Sequence, residues 1–229
     1  MQLASCFQTT PEEINSGSWN PYLGISINNR AFTGDYLDAF LAWAVPRSRD
    51  KVAIVLVDVL QRINNQVLDR SKPAAALEKA FRKADEVRNL CSEALERLDS
   101  CSRNRVLLLE WPDIVDGQYF QHNLRLFRAA FQEDPAFREA LVELSRQNLG
   151  VIAGRLGLEQ LEQISHYILY ELPELVTGFV FEGIHFNLNV YPGAIFKVYK
   201  QLREHDCYAR IASDLRSIGP FASVEAYAE

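Results

Sequence analysis

The sequence predicts an α/β fold in which a parallel β-sheet is covered by helices on both faces. Short apolar runs of the kind found in buried strands alternate with longer segments of helical periodicity. Strands separated by helices need crossover connections, which place neighbouring strands parallel to one another. Three of these runs are Tyr22–Ile27, Val52–Val57 and Val106–Leu109. No linker, repeat or low-complexity tract interrupts the alternation, so we expect residues 1–229 to form one domain.

The individual elements follow from apolar periodicity and from the residues that begin and end helices. Thr33 is placed to cap a helix that Pro46 ends, and Pro73 begins a long helix that continues to about Leu98. The segment Ile184–Val190 reads as a further strand, which Tyr191-Pro192 closes. The remaining predicted helices cover residues 61–68, 116–132, 135–156, 159–181 and 194–205.

Composition excludes several classes of protein. With a net charge of −6 the chain is no polycation, so any contact with nucleic acid needs a local basic patch. The four cysteines form no Cys-x-x-Cys pair, which argues against a structural zinc site. The N-terminus resembles no signal peptide, and no apolar run approaches ~18 residues. We therefore expect a cytoplasmic protein that needs no metal and no membrane.

Polar side chains follow the predicted strands at the edge of the sheet where ligands of such folds bind. They are Ser26, Asp58, Glu110 and Tyr191. A serine after a strand is most often a turn residue, whereas a serine nucleophile usually needs a base. The elbow of α/β-hydrolases would place glycine where Asn28 stands, and the four histidines supply no evident base. The residues alone therefore leave the role of Ser26 open.

The helix predicted over residues 159–181 carries a phenol and a carboxylate one turn apart, at Tyr170 and Glu174. Such a pair offers one neutral and one charged oxygen to an ammonium group. Pro173 lies between them and should kink the helix, which would re-aim Glu174. The alternative is an amphipathic helix with a solvated acidic edge, and the pattern alone does not separate the two.

The long helix that begins at Pro73 carries a stripe of basic residues. At roughly 100° per residue the stripe contains Lys72, Lys79, Lys83 and Arg97, with Arg82 nearby. Such a stripe could contact a phosphate backbone. Glu78 and Arg82 are also spaced as an ordinary surface ion pair, so a solvated face remains the alternative.

Taken together, these motifs resemble the cyclodipeptide synthases, enzymes that take two aminoacyl-tRNAs and release a cyclic dipeptide. The resemblance covers nearly the whole chain. It rests on Gly24-Ile25-Ser26 with Asn29, on the basic long helix, on Tyr170-x-x-x-Glu174 and on Tyr191-Pro192. The family has two subgroups, and the resemblance of Tyr191-Pro192 to the motif of the Tyr-Pro subgroup places the chain there, although Asn29 resembles the motif of the other subgroup.

The resemblance implies a Rossmann-like fold, similar to the catalytic domain of class I aminoacyl-tRNA synthetases but without their ATP-binding signatures. It implies no cofactor, because an aminoacyl ester is already activated. Ser26 would form first an aminoacyl ester and then a dipeptidyl ester. Tyr170 and Glu174 would hold the α-amino group, and Tyr191 would position or move a proton near the serine. The further residues implied are Gly24 and Asn29 for substrate, and Lys72, Lys79, Arg82, Lys83 and Arg97 for tRNA.

Two alternatives from other classes remain at this stage: a serine esterase of unrelated mechanism, and a tRNA-binding domain without catalysis. The sequence names neither the two amino acids nor the oligomeric state. Pocket residues are expected at strand ends and just beyond Glu174, with Tyr22 and Val57 as candidates.

Overall fold

The computed structural model describes residues 1–193, 202, 207–217 and 219–228. The helix predicted over residues 194–205 falls almost entirely outside these ranges. Within them, none of the helices combines the length and the apolar character that crossing a bilayer requires.

Strands and short helices alternate along the described chain. The strands are β1 (Gln2–Phe7), β2 (Pro21–Ser26), β3 (Val52–Val57), β4 (Val106–Glu110), β5 (Phe179–Phe181), β6 (Ile184–Phe186), β7 (Leu188–Tyr191) and β8 (Ala222–Tyr227). The helices are α1 (Pro11–Asn15), α2 (Gly34–Ala44), α3 (Gln61–Leu68), α4 (Pro73–Glu96), α5 (Ser100–Arg103), α6 (Trp111–Val115), α7 (Gln118–Glu133), α8 (Pro135–Leu149), α9 (Leu158–Thr177) and α10 (Cys207–Ala212). Short 3₁₀ turns follow α2 at Val45–Arg47 and α8 at Gly150–Arg155.

Six strands form one sheet in the order β1-β8-β7-β2-β3-β4. Neighbouring strands from β8 to β4 are parallel, and β1 pairs with β8 in the antiparallel sense. The carboxyl ends of the four central parallel strands therefore meet at one edge. This arrangement confirms the predicted α/β class with a parallel sheet.

Strand β3 shows why the sheet is covered on both faces. Its six residues are all buried, and successive side chains point to opposite faces of the sheet. Ala53, Val55 and Val57 pack into a core with α6 to α9, whereas Val52, Ile54 and Leu56 pack into a second core with α2 and α4. The continuous apolar run, rich in β-branched residues, is thus typical of a strand between two helical layers.

Helix α9 continues through Pro173 and ends at Thr177, four residues before the predicted end at 181. The next residue, Gly178, has φ of +66°, and a Cβ at this position would lie 2.0 Å from the carbonyl oxygen of Phe186. Only glycine combines that backbone conformation with that close approach. Gly178 therefore ends the helix where the chain turns into the β5–β6 hairpin.

The structure differs from the predicted topology at the sheet edge. Strands β1 and β8 were not predicted, and the predicted strand Ile184–Val190 is divided into β6 and β7. The division falls at Asn187, whose side chain accepts a hydrogen bond from the Asn20 amide (3.1 Å) and donates one to the Pro220 carbonyl (3.1 Å). Asn187 therefore fastens the start of β7 to two distant loops.

Candidate active site

A cavity of about 560 Å³ lies at the carboxyl ends of β2, β3 and β7 and is closed by α8 and α9. Ser26 and Tyr191 line it from the strand ends, as does Val57. Of the four strand-end residues singled out by sequence, the other two lie elsewhere. Asp58 is buried and accepts a hydrogen bond from the Val59 amide at 2.7 Å, and Glu110 forms an ion pair with Arg88.

Ser26 is the last residue of β2, and the chain turns directly after it. The amide of Asn29 donates to the Ser26 carbonyl at 2.8 Å, which closes the turn and leaves the serine side chain facing the cavity. The phenols of Tyr167 and Tyr191 both lie within interaction range of the Ser26 hydroxyl. The serine is therefore flanked by two hydroxyl groups from different elements.

Tyr191 is held in place from two sides. Its hydroxyl accepts a hydrogen bond from Asn29 Nδ2 at 3.1 Å, and its ring packs edge-on against Phe32 with the centroids 5.5 Å apart. Burial raises the pKa of Tyr191, while the hydrogen bonds to Asn29 and Ser26 oppose that effect. The phenol is thus neutral near pH 7.

Tyr167 and Glu171 lie one turn apart on α9 and face the same cavity. The Tyr167 hydroxyl is buried and closes no hydrogen bond of normal length, although Ser26 and Glu171 are its electrostatic neighbours. Burial raises the pKa of the Glu171 carboxyl well above its ordinary value, and the charge of Glu174 adds to this effect. The cavity therefore holds a phenol between Ser26 and a carboxyl group, and no basic side chain of the described residues that line the cavity gives that group a counter-charge.

Glu174 lies deeper in the cavity and is only 4% exposed. Its Oε1 accepts a hydrogen bond from Asn189 Nδ2 at 3.2 Å, and a Cβ at Gly24 would lie 3.9 Å from the same oxygen. Burial raises the pKa of Glu174 to about 7, while its contacts with Tyr22 and Asn189 lower it. Gly24, Glu174 and Asn189 thus form the floor of the cavity.

Tyr170 does not line this cavity, and the expectation that it pairs with Glu174 beside Ser26 needs correction. Its hydroxyl accepts a hydrogen bond from Arg128 Nη2 at 2.6 Å, and the Arg128 guanidinium lies 4.9 Å from its ring centroid. The cavity-lining positions of α9, from Ile164 to Leu175, span a sector of roughly 120° that includes Tyr167. Tyr170 lies about 40° outside that sector, so its ring points toward α7 instead.

A second, smaller groove of about 360 Å³ adjoins the cavity along α4. Lys79, Arg82 and Lys83 line it. It shares Asn28, Gln61 and Asn64 with the cavity, so the two spaces adjoin. Asp69 and Glu86 also line the groove, which therefore places three basic and two acidic side chains next to the cavity of Ser26.

The other two predicted basic residues lie at the ends of α4, outside this groove. Lys72 caps the N-terminus of the helix, and Arg97 caps its C-terminus, about 21 Å from Lys83 along the axis. Arg97 forms an ion pair with Asp38 at 2.9 Å. Of the five basic residues named from the sequence, Lys79, Arg82 and Lys83 thus line the groove, and Lys72 and Arg97 lie outside it.

The family model for cyclodipeptide synthases matches residues 11–214. The match covers well over half of the chain and includes the cavity, α4 and α9. The chain belongs to the cyclodipeptide synthase family. Curated protein sequences gave no significant match to the chain.

Solved cyclodipeptide synthase structures share the fold of this chain at low sequence identity. The enzyme from Bacillus thermoamylovorans aligns with a TM-score of 0.75 and 16% identity over 95% of this chain and 92% of its own. A Mycobacterium tuberculosis protein, described as demonstrating that cyclodipeptide synthetases are related to type I tRNA synthetases, aligns with a TM-score of 0.71 and 18% identity over 95% and 89%. The synthase from Candidatus Glomeribacter gigasporarum, solved bound to Phe-tRNAPhe, aligns with a TM-score of 0.58 and 15% identity over 89% and 86%.

Sequence reasoning missed the Tyr167–Glu171 pair of this cyclodipeptide synthase family member. The helix contains two overlapping Tyr-x-x-x-Glu pairs, Tyr167–Glu171 and Tyr170–Glu174, with identical spacing. The spacing therefore does not choose between them. Phe131 on α7 packs against His166, and the His166 ring lies next to that of Tyr170. His166 and Tyr170 therefore belong to the face of α9 that packs on α7. That packing partner is what the sequence does not reveal.

The histidines and acidic residues of this cyclodipeptide synthase family member form no metal centre in the described residues. No group of three or more histidine, cysteine or acidic side chains in those ranges could hold an ion. His185 Nε2 lies 2.8 Å from the Thr177 carbonyl, and His122 Nε2 lies 3.1 Å from the Asp214 carbonyl. Both rings therefore serve as links between chain segments.

Proposed function

We propose that this chain is a tRNA-dependent cyclodipeptide synthase that works through two successive serine esters on Ser26. The observation that carries the proposal is the position of Ser26. It ends β2 in a cavity of about 560 Å³, faces two phenols and lies in the space that adjoins the groove lined by Lys79, Arg82 and Lys83. The family to which the chain belongs supports the same reaction.

In the first step the Ser26 oxygen attacks the carbonyl carbon of the first aminoacyl ester. The bond between that carbonyl and the terminal ribose oxygen breaks, and the ribose oxygen leaves with the proton that the serine loses. The vicinal ribose hydroxyl supplies a path for this proton. The ester is already activated, so the step needs neither ATP nor a metal ion.

The second aminoacyl-tRNA then reacts with this aminoacyl-enzyme. Its α-amine attacks the ester on Ser26, so that a peptide bond forms and the serine regains its proton. The Ser26 oxygen then attacks the ester that joins the dipeptide to the second tRNA. This tRNA leaves with the serine proton on its ribose oxygen, and the dipeptide is now an ester of Ser26. The free amine of that dipeptide finally attacks the ester, which closes the six-membered ring and releases the serine.

Tyr167 and Glu171 are our candidates for the residues that hold the α-ammonium of the first aminoacyl group. They present a phenol and a carboxyl group beside Ser26, and the Tyr167 hydroxyl forms no hydrogen bond of normal length. An ammonium between these groups would supply the missing donor and the missing counter-charge. Tyr191, held by Asn29, would position the ester at the serine from the opposite side.

The groove lined by Lys79, Arg82 and Lys83 is our candidate for the path of the tRNA acceptor end. Because the groove adjoins the cavity, phosphates could contact these side chains while the ester reaches Ser26. The relative bound to Phe-tRNAPhe shares this fold, which supports aminoacyl-tRNA as the substrate here.

The test is covalent labelling with radiolabelled aminoacyl-tRNA. We expect wild type to retain label after denaturation and to release a cyclic dipeptide that mass spectrometry detects, whereas Ser26→Ala should do neither. Label on Ser26→Ala at the wild-type level would exclude Ser26 as the nucleophile. Hydrolysis of p-nitrophenyl esters without tRNA would favour an esterase, and tRNA binding without acylation would favour a non-catalytic domain.

A further inference from the structure

The cavity beside Ser26 contains two carboxyl groups, Glu171 and Glu174, where one α-ammonium needs only one. In the described part of the chain no lysine, arginine or histidine side chain lines this cavity. Burying a carboxylate without a counter-charge is costly. A cation from the substrate would therefore stabilise the second carboxyl group.

The two carboxyl groups occupy different depths. Glu171 lies one turn after Tyr167 on α9 and is an electrostatic neighbour of that phenol, which lies beside Ser26. Glu174 contacts Asn189 and Gly24 instead, and Gly24 lies two residues before Ser26 on β2, which is roughly 6.6 Å deeper along the strand. Glu171 thus lies at the level of the ester, and Glu174 lies at the level of a substrate side chain.

Gly24 keeps the space between these levels open. Residues 24 and 26 point to the same face of β2, and a glycine there leaves no side chain above Glu174. A Cβ at Gly24 would already lie 3.9 Å from Glu174 Oε1. An aminoacyl side chain attached at Ser26 can therefore pass down to the carboxyl group.

The floor offers acceptors rather than donors. Glu174 Oε1 accepts one hydrogen bond from Asn189, and the Asn189 Oδ1 atom is buried with no hydrogen-bond partner. Asn189 is 1% exposed, so no bulk water reaches it. A guanidinium, an ammonium or an imidazolium carries a positive charge and two or more N–H donors, which match these acceptors.

We propose that the first aminoacyl group accepted by this protein carries a basic side chain, whose cation binds Glu174 and Asn189 while Glu171 holds the α-ammonium. The inference rests on the proposed acylation of Ser26 and names the substrate class of that step. A basic side chain offsets the desolvation of Glu174 and pairs the free Asn189 oxygen. An apolar side chain leaves Glu174 without a counter-charge and the Asn189 oxygen without a donor. An acidic side chain adds repulsion.

The experiment measures single-turnover acylation of Ser26 with one tRNA body that carries different amino acids. Lysine is compared with norleucine, which lacks the ammonium, and arginine with citrulline, which keeps the shape and loses the charge. We expect acylation with the charged member of at least one pair to be faster by about tenfold or more, as for a hydrogen bond to a charged group.

The matched variant is E174L/N189L, which replaces the polar floor by an apolar one of similar volume. It should lose the preference for lysine over norleucine and acylate faster with norleucine than wild type does. Acylation by norleucine also reports that the variant is folded. If the variant does not fold, the two substrate pairs on wild type still decide the question.

Two outcomes would count against the inference in distinguishable ways. Equal or faster acylation of wild type by norleucine and citrulline would overturn the basic specificity and leave the proposed function intact. Acylation by none of the tested aminoacyl-tRNAs, basic, apolar or acidic, would overturn the proposed function and the inference with it.

Discussion

The serine that ends β2 has two phenols beside it and, in the described residues, no histidine in its cavity. Burial raises the pKa of both Tyr167 and Tyr191, so both phenols are neutral near pH 7 and available as hydrogen-bond donors. A neutral phenol orients and stabilises an oxygen but does not remove a proton from serine. In the mechanism that we propose, this proton would leave with the ribose oxygen of the substrate.

Glu171→Gln tests which of the two Tyr-x-x-x-Glu pairs holds the α-ammonium. Removal of the charge should slow acylation of Ser26 by roughly 10- to 150-fold, the effect of losing about 1.5–3 kcal/mol from a charged hydrogen bond. Tyr170→Phe is the matched comparison, because the Tyr170 hydroxyl bonds Arg128 outside the cavity. We expect it to acylate at the wild-type rate in the same rapid-quench assay.

An α-acetylated substrate identifies the group that Glu171 contacts. Acetylation removes the ammonium, so Glu171→Gln should slow this substrate little further than the acetyl group already does. If the rate losses caused by acetylation and by Glu171→Gln simply multiply, Glu171 does not contact the amine. A large loss in Tyr170→Phe with little loss in Glu171→Gln would restore the assignment made from sequence.

Part of the site follows from the sequence at this scale. Ser26, Asn29 and Tyr191 meet because the carboxyl ends of parallel strands share an edge, and two apolar runs with their end residues suffice to predict this. The choice between Tyr167 and Tyr170 depends on how α9 is rotated about its axis. That rotation is set by packing of His166 and Tyr170 against α7, which no spacing along α9 contains.

At the scale of the helix, α4 combines a buried small-residue face with basic side chains on its outer surface. Ala76, Ala80 and Ala84 are fully buried, so the helix lies close to the sheet and to α3. Lys79 and Lys83 form ion pairs of 2.5 Å with Asp69 and Glu86, whereas Arg82 has no ion pair within the described ranges. Among the three basic side chains of the groove, Arg82 is therefore the one whose charge is not neutralised by a carboxylate of the described residues, and it is the best candidate to bind a phosphate.

The double variant R82A/K83A tests the groove on α4. It should weaken tRNA binding and reduce the slope of log K against log salt by about 1.4 to 1.8, because each lost phosphate contact changes it by about 0.7 to 0.9. Arg97→Ala should change the slope less, since Arg97 lies at the end of α4 outside the groove. Fluorescence titrations at several salt concentrations measure both, and equal slopes for wild type and R82A/K83A would exclude the groove.

The sequence predicts the central elements better than the edges of the sheet. The run Val52–Val57 is apolar at every position, because both of its faces are buried, and this pattern predicts a strand without further information. Strands β1 and β8 pair across the whole length of the chain, with Gln2 opposite Tyr227. Both strands carry polar residues, such as Ser5 in β1 and Glu225 in β8, so neither shows the continuous apolar run that predicts the central strands.

For the whole molecule, the two buried carboxyl groups that we propose for substrate binding reduce the free energy of unfolding at neutral pH. Glu171 and Glu174 both have raised pKa values because folding takes them out of water. A carboxyl group whose pKa is higher in the folded than in the unfolded state binds more protons when folded. The free energy of unfolding therefore falls as the pH rises from the unfolded pKa toward the folded one, and this cost stays at higher pH.

Glu174→Gln tests this cost, since glutamine has the shape of the protonated acid and does not ionise. With a folded pKa of about 7 against an ordinary value of 4.5, the wild type should lose about 3 kcal/mol between pH 4.5 and pH 8 through this group. Glu174→Gln should match wild type near pH 4.5 and exceed it by that amount at pH 8 in urea unfolding. Glu139→Gln, an exposed change on α8, should stay within about 0.5 kcal/mol of wild type at both pH values. Because the charge of Glu174 also raises the pKa of Glu171, its removal relieves Glu171 and adds to the gain in the same direction.

A stability difference between Glu174→Gln and wild type that does not change with pH would mean that Glu174 ionises as freely in the folded protein as in the unfolded chain. The floor of the cavity would then already be supplied with a counter-charge, and the argument for a cationic substrate side chain would lose its basis.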